Sequence, residues 1–352
     1  MRAKRNAVKD TAKTLQKVEP KKKKASIKEI VPPFIPVENE GATGAFEIAP
    51  GMSAEQMKAL FFDEKTLIEP PYKVWQLNSS TGRYYYTFED NGPVFYPSVT
   101  TILSQTMTKS EFLVKWVASM GYDEAERYKA ERAAYGTFMH AQFESLLINR
   151  LYNLDELKDK LKEYIIQQRL PDNFIHYCDD LKKDILSFAQ FVVDYDVQPL
   201  AVEIALVHPD LKYAGMIDLP CRMRAKIGSD ERINAIVDFK SGRKNFYEAH
   251  ELQLAFYREL WNWNFPETEI TRIFNFSPKD WRKKPTYNLK EQTKSPNIAK
   301  MPYLLEIAAI NDEKAENTFT AISGVISLDE VSTLPACVTT LTLSEIVKNK
   351  TK

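Results

Sequence analysis

The stretch INAIVDFKSGRK, residues 233–244, narrows most sharply what this chain can fold into. Its apolar and β-branched residues specify a strand built for burial, yet Asp238 and Lys240 stand inside it with opposite charges. Side chains alternate across a strand, so these two project from one face while Val237 and Phe239 project from the other. Ionised groups left unpaired against an apolar core are costly. That face therefore borders a cleft, a partner ion or a metal, unless the charges simply pair with each other on a half-exposed strand.

Two earlier strand candidates repeat the anomaly: AVEIALV carries Glu203, and AGMIDLP carries Asp218 between Ile217 and Leu219. The break KIGSDER reads as a hairpin turn between the second and third strands. Paired as a meander, the three strands converge Glu203, Asp218 and Asp238 at one sheet edge, a set of hard oxygen donors suited to Mg²⁺ or Mn²⁺. Lys240 would then stand beside the ion, placed to orient or help deprotonate a water and to stabilise charge on a phosphate. Upstream, GTFMHAQFE puts His140 and Glu144 four residues apart on one helical face, within reach of the same cluster. A hydrogen-bonded structural histidine is the plainer reading of His140 alone. Downstream, QLAFY puts Gln253 and Tyr257 on one helical face, where helix packing with a polar edge is the alternative.

With 44% hydrophobic and 12% aromatic residues in 352, the chain has the means to bury a substantial core. Its 48 basic and 48 acidic residues cancel, but residues 1–28 hold eleven Lys/Arg against Asp10 and Glu19, leaving the rest of the chain net acidic. Residues 1–45 read as a disordered basic arm, a solubilising tail or a salt-sensitive attraction to phosphates. Residues 46–104 read as an N-terminal β-rich element, with turn chemistry at 79–82 and 90–93. An all-helical region follows, in which Gly136 is expected to break the pattern near the start of a second helix. The C-terminal residues 331–352 read as a tail or helix. No apolar run nears the ~18 residues of a membrane span, and no secretory h-region begins the chain, so no membrane partner is expected. Cys178, Cys221 and Cys337 lack CxxC spacing, against an iron-sulfur cluster or zinc knuckle. A cytoplasmic location is expected, host cytoplasm for a viral protein, with a mitochondrial one the lesser alternative.

In chain order, Gly136/Thr137/His140, Glu203, Gly215 to Asp218, Asp238/Lys240/Ser241 and Gln253/Tyr257 resemble the RecB-like branch of the PD-(D/E)xK nuclease superfamily. The earlier YPSVTTILSQTM and the helix with Trp116 look like the mitochondrial genome maintenance exonuclease branch and its phage relatives. The resemblance, over residues 95–280, implies a restriction-endonuclease-like α/β core with a central mixed sheet flanked by helices, within a nuclease domain at 105–330. It also implies metal ligands at His140, Asp218, Asp238 and the main-chain carbonyl of Phe239, with Glu203 assisting. Lys240 is the implied catalytic lysine, and Gln253 and Tyr257 orient the site. The implied activity is Mg²⁺- or Mn²⁺-dependent phosphodiester hydrolysis leaving 5′-phosphates, by an exonuclease on single-stranded DNA or DNA ends, alongside replication or recombination proteins. The spacing of 20 between Asp218 and Asp238 exceeds that of many members and is assigned to the turn between them.

Candidate DNA contacts are Arg243 and Lys244 past the lysine, and Trp281, Arg282 and Lys283 in KDWRKKPTY, each readable also as a solvated loop. Two rival classes remain at this point. One is a non-catalytic nucleic-acid-binding or assembly protein on the same scaffold. The other is an unrelated α/β protein with structural charge pairs.

Overall fold

The computed structural model describes residues 67–79, 82–90, 92–242, 246–314, 318–322 and 338–342. The basic arm and two of the candidate DNA contacts, Arg243 and Lys244, lie outside the described residues.

The N-terminal β-rich segment forms a meander, with strands β1 (Trp75–Ser79), β2 (Gly82–Glu89) and β3 (Gly92–Pro97) paired antiparallel in that order. Ser98 then caps helix α1 (Val99–Thr106), its hydroxyl accepting from the Thr101 N–H at 3.0 Å. Helix α2 (Glu111–Met120) is capped likewise by Ser110. Next comes α3 (Tyr122–Asn149), 28 residues without interruption, which corrects the break expected at Gly136. The glycine instead permits a close approach: a Cβ there would stand 3.4 Å from Ser241 Oγ, where the helix passes under the turn after Lys240. Helices α4 (Leu157–Gln168) and α5 (Cys178–Asp194) complete the helical region.

The central sheet combines β4 (Gln198–Pro199), β7 (Leu219–Arg224), β8 (Arg232–Phe239), β9 (Arg272–Pro278) and β10 (Tyr287–Glu291) in the order β10-β9-β8-β7-β4. It is mixed: β8 and β9 are parallel, joined through helix α6 (Glu248–Asn264), and the other pairings are antiparallel. Strands β5 (Ile204–His208) and β6 (Tyr213–Ile217) form a separate hairpin. The meander expected through Glu203, Asp218 and Asp238 therefore divides, because the chain bends at Asp218 and passes from pairing with β5 to pairing with β8. The hairpin turn between β7 and β8 is as read.

Alternation along β8 splits two cores. Ala235, Val237 and Phe239 pack with Phe143, Phe188 and Phe276 on the face covered by α3, α4 and α5. Ile236 faces the other side, among Leu252, Phe256 and Trp261 of α6. Asp238 shares that second face and lies at the end of the apolar stripe. Helix α7 (Met301–Lys314) follows. The C-terminal segment expected as tail or helix instead contains a strand, Val338–Thr342 (β12), paired antiparallel with Thr318–Ile322 (β11). Its threonines and valine favour the pleated conformation. Among the described residues no helix is long and apolar enough to cross a membrane.

Gly215, in β6, marks where this packing is tightest. A Cβ there would fall 2.7 Å from Tyr257 Cε1, so Gly215→Ala must displace a buried ring. A loss of roughly 1–3 kcal/mol is expected, read as a lower urea midpoint at unchanged m.

Candidate active site

Asp218 occupies the bend between β6 and β7, where a side chain replaces part of the strand ladder: its Oδ2 accepts from the Phe239 N–H at 2.7 Å. Glu203 precedes β5 rather than lying within it. Its φ of 49° is left-handed, a conformation that costs a non-glycine residue about 1–2 kcal/mol. The N–H of Glu203 donates to the Asp218 carbonyl at 2.9 Å, which holds the two acidic residues together. From α3, His140 meets them: Nδ1 lies 3.4 Å from Glu203 Oε1 and 3.8 Å from Asp218 Oδ1. Its Nε2 lies 3.2 Å from the Phe239 carbonyl oxygen. Ligand atoms of His140, Glu203 and Asp218 lie within 4.8 Å of one another.

Asp238 stands beside this trio rather than in it. Lys240 Nζ donates to its Oδ1 at 2.9 Å and lies 2.7 Å from Oδ2, and also donates to Gln253 Oε1 at 3.0 Å. Gln253 Nε2 in turn donates to the Tyr257 hydroxyl at 2.8 Å. The four-residue helical spacing of Gln253 and Tyr257 thus serves a chain of contacts ending on the lysine. All of these except Phe239 line one cleft of about 650 Å³, with Glu144 on the same wall.

The electrostatics show acidic groups crowded out of water. Burial raises the Asp218 carboxyl, opposed by His140 and reinforced by the Glu203 charge. Burial likewise raises Asp238, with Lys240 opposing and Asp218 adding to it. For His140, burial disfavours the imidazolium, but Asp218 and Glu203 together outweigh it and bring the ring to about 9. His250 is pushed down to about 4 by burial and by the positive charge of Lys240.

Two residues that the sequence reading did not single out complete the site. Asn275 of β9, fully buried, donates from Nδ2 to Asp238 Oδ2 at 2.9 Å. Its own Oδ1 accepts from Gln292 Nε2 at 3.1 Å, which fixes the amide orientation. The register pairs Asn275 with Asp238 across parallel strands. An asparagine inside the apolar RIFNFSP was the available signal. Asn275→Leu leaves the Gln292 amide buried without its acceptor and frees one side of Asp238. About 1–3 kcal/mol of stability is expected to be lost, and kcat to fall about tenfold, consistent with a loosened carboxylate. Thermal unfolding and steady-state rates measured on one preparation check both.

Trp281, Arg282 and Lys283 lie in the β9–β10 loop, where Trp281 Nε1 donates to the Lys183 carbonyl of α5 at 3.3 Å. None of the three lines the cleft.

Carboxylates gathered at the end of a central strand of a mixed sheet, with a helix-borne imidazole and an adjacent ammonium, offer donors of the kind that suit a divalent ion. The model of the PD-(D/E)XK nuclease superfamily matches residues 112–330, and the chain belongs to that superfamily. A search of curated proteins returned no match. Among solved structures, a candidate exonuclease of Eubacterium rectale is similar at 10% identity and a TM-score of 0.29, covering 56% of this chain and 80% of that one.

Proposed function

We propose that the protein is a Mg²⁺- or Mn²⁺-dependent deoxyribonuclease, an exonuclease acting on single-stranded DNA or DNA ends in replication, recombination or repair. The carrying observation is that His140, Glu203 and Asp218 offer donors within 4.8 Å of one another, next to Lys240 held on Asp238 and Gln253. Carboxylate oxygens, one imidazole and the Phe239 carbonyl make a donor set suited to a hard divalent cation. Burial, reinforced by the Glu203 charge at Asp218 and by the Asp218 charge at Asp238, raises these carboxyls, and a bound cation offsets that cost. His140, Glu203, Asp218 and the Phe239 carbonyl would hold it, with Asp238 adjoining. Once bound, it supplies Lewis acidity to the phosphodiester and lowers the pKa of an attacking water.

The chain's own residues do the rest. Lys240 presents an ammonium whose direction is set on two sides, by Asp238 and by Gln253, so it can meet charge developing on a phosphate oxygen without reorganising. Asn275 keeps Asp238 turned toward the lysine. Tyr257 anchors Gln253 from below.

The test is incubation of end-labelled linear single-stranded, linear duplex and circular DNA with Mg²⁺, Mn²⁺ or EDTA. Cleavage of linear molecules in metal, none in EDTA and intact circles is the expected pattern. Binding without cleavage in every metal would instead favour a non-catalytic nucleic-acid-binding protein.

A further inference from the structure

The cleft is not built from the family-matched stretch alone. That match begins at residue 112, yet Gln76, Arg83 and Tyr85 of the N-terminal meander line the same cavity as Asp218 and Lys240. The meander is fastened to the β5–β6 hairpin at this point. Tyr85 and Tyr96 are buried against Val207 and Ala214 of the β5–β6 hairpin, and Ser98 bridges to Ala214, which lies beside Gly215.

Arg83 is the sharpest feature of this wall. Its main chain is pinned three times: its N–H donates to Thr101 Oγ1, and its carbonyl accepts from Thr101 Oγ1 and from the Ser98 N–H, each at 2.9 Å. Gly82, at φ +144°, permits the contact, since a Cβ there would fall 2.6 Å from two atoms of the Thr101 side chain. From that fixed backbone Arg83 is exposed and reaches the Tyr85 hydroxyl, which itself lies in the field of Glu203 and Asp218. A second guanidinium stands at the other end of the cluster. Arg132 of α3 donates to the Ser241 carbonyl, next to Lys240, at 3.4 Å. It stacks over the rings of Tyr135 and Tyr177 at 4.4 and 5.6 Å. Among the described residues neither arginine forms an ion pair with a carboxylate.

Two arginines held in place by backbone and aromatic contacts, facing a cleft and unneutralised, have the chemistry of anion receptors. We propose that Arg83 and Arg132 form a two-point phosphate clamp flanking the hydrolytic centre. In it the N-terminal meander grips a nucleic-acid backbone on the Glu203 side and α3 grips it on the Lys240 side. The clamp rests on the nuclease reading above and adds to it the residues that hold the strand across the centre. It also gives the meander a role in substrate binding.

The test is binding of a fluorescein-labelled oligothymidylate to the full-length protein, followed by anisotropy in CaCl₂ over a series of NaCl concentrations, with cleavage in MgCl₂ assayed in parallel. Arg83→Gln is expected to weaken binding about five- to tenfold and to reduce the slope of log affinity against log salt by about 0.7, the increment for one phosphate contact on a single strand. Arg83→Gln/Arg132→Gln should lower the slope by about twice that. Arg83→Lys should keep most of the slope, because the charge remains. Lys162→Gln neutralises an exposed cation that pairs with Asp159 on the outer face of α4 and should change neither affinity nor slope. Wild-type affinity and salt dependence in Arg83→Gln overturn the clamp, and so does an equal loss in Lys162→Gln. A wild-type protein that binds the oligonucleotide but never cuts it defeats the nuclease reading alone, with the binding series still deciding the clamp. A wild-type protein that does not bind the oligonucleotide defeats both.

Discussion

Lys240→Ala is expected to reduce kcat by at least about 10³-fold, on the order of 4 kcal/mol of transition-state stabilisation, while leaving the fold intact. The lysine is about one-fifth exposed and, among the described residues, bonds Asp238 and Gln253 through Nζ. Its removal leaves one buried carboxylate short of a cation, and the Asn275 amide still satisfies Asp238 Oδ2. The loss should therefore appear in turnover far more than in oligonucleotide affinity, the signature of an interaction strengthened in the transition state. Divalent-ion binding, followed by titration calorimetry, should persist in the variant. Undiminished turnover would show that the ammonium beside Asp238 is a structural counter-ion, and that the reactive centre lies elsewhere.

Asp218→Asn should produce two effects of opposite sign. Affinity for Mn²⁺ is expected to fall roughly 100-fold, because the variant loses a charged oxygen donor from the centre of the cluster. The metal-free protein, in contrast, should become more stable at neutral pH. Burial raises the folded-state pKa of Asp218 above its unfolded value even against the attraction of His140. The folded chain thus binds more protons at this site than the unfolded one, so stability is present at acid pH and lost as pH rises through the folded pKa. Asparagine removes that loss. A higher Tm than wild type in EDTA at neutral pH is the expected result.

His140 titrates in the same region with its own sign. Raised to about 9 from 6.5, its charged form contributes stability that is full below about pH 6.5 and lost as pH climbs through 9. The ring is 26% exposed, so no more than about 2–3 kcal/mol is expected from it. Without Asp218 this pH dependence should flatten. Melting curves in EDTA from pH 6 to 9.5, for wild type and Asp218→Asn, measure both quantities. A variant that melts below wild type at pH 8 would mean that the acidic residues are not crowded as described.

Several features were legible in the chain because they follow from local periodicity. The alternation of β8 placed Asp238 and Lys240 on one face and Val237 and Phe239 on the other, and the cores divide that way. The four-residue step put Gln253 beside Tyr257. Turn residues marked the hairpins at 79–82 and between β7 and β8. Other features follow no local rule. Glu203 looks like a strand residue in its apolar surroundings, and its left-handed backbone is imposed by the hydrogen bond to Asp218. Gly136 reads as a helix breaker but serves a contact 105 positions away in Ser241.

The sequence alone determined which chemical groups the chain has to spend: carboxylates and an ammonium set into apolar strands, too costly to bury without a common purpose. Where those groups meet was decided by tertiary structure, since the bend at Asp218, the parallel alignment of Asn275 with Asp238 and the docking of the meander that carries Arg83 all depend on contacts between distant segments. Strand period and helix pitch are properties of a few consecutive residues. The geometry of a site assembled from several distant elements is a property of their packing.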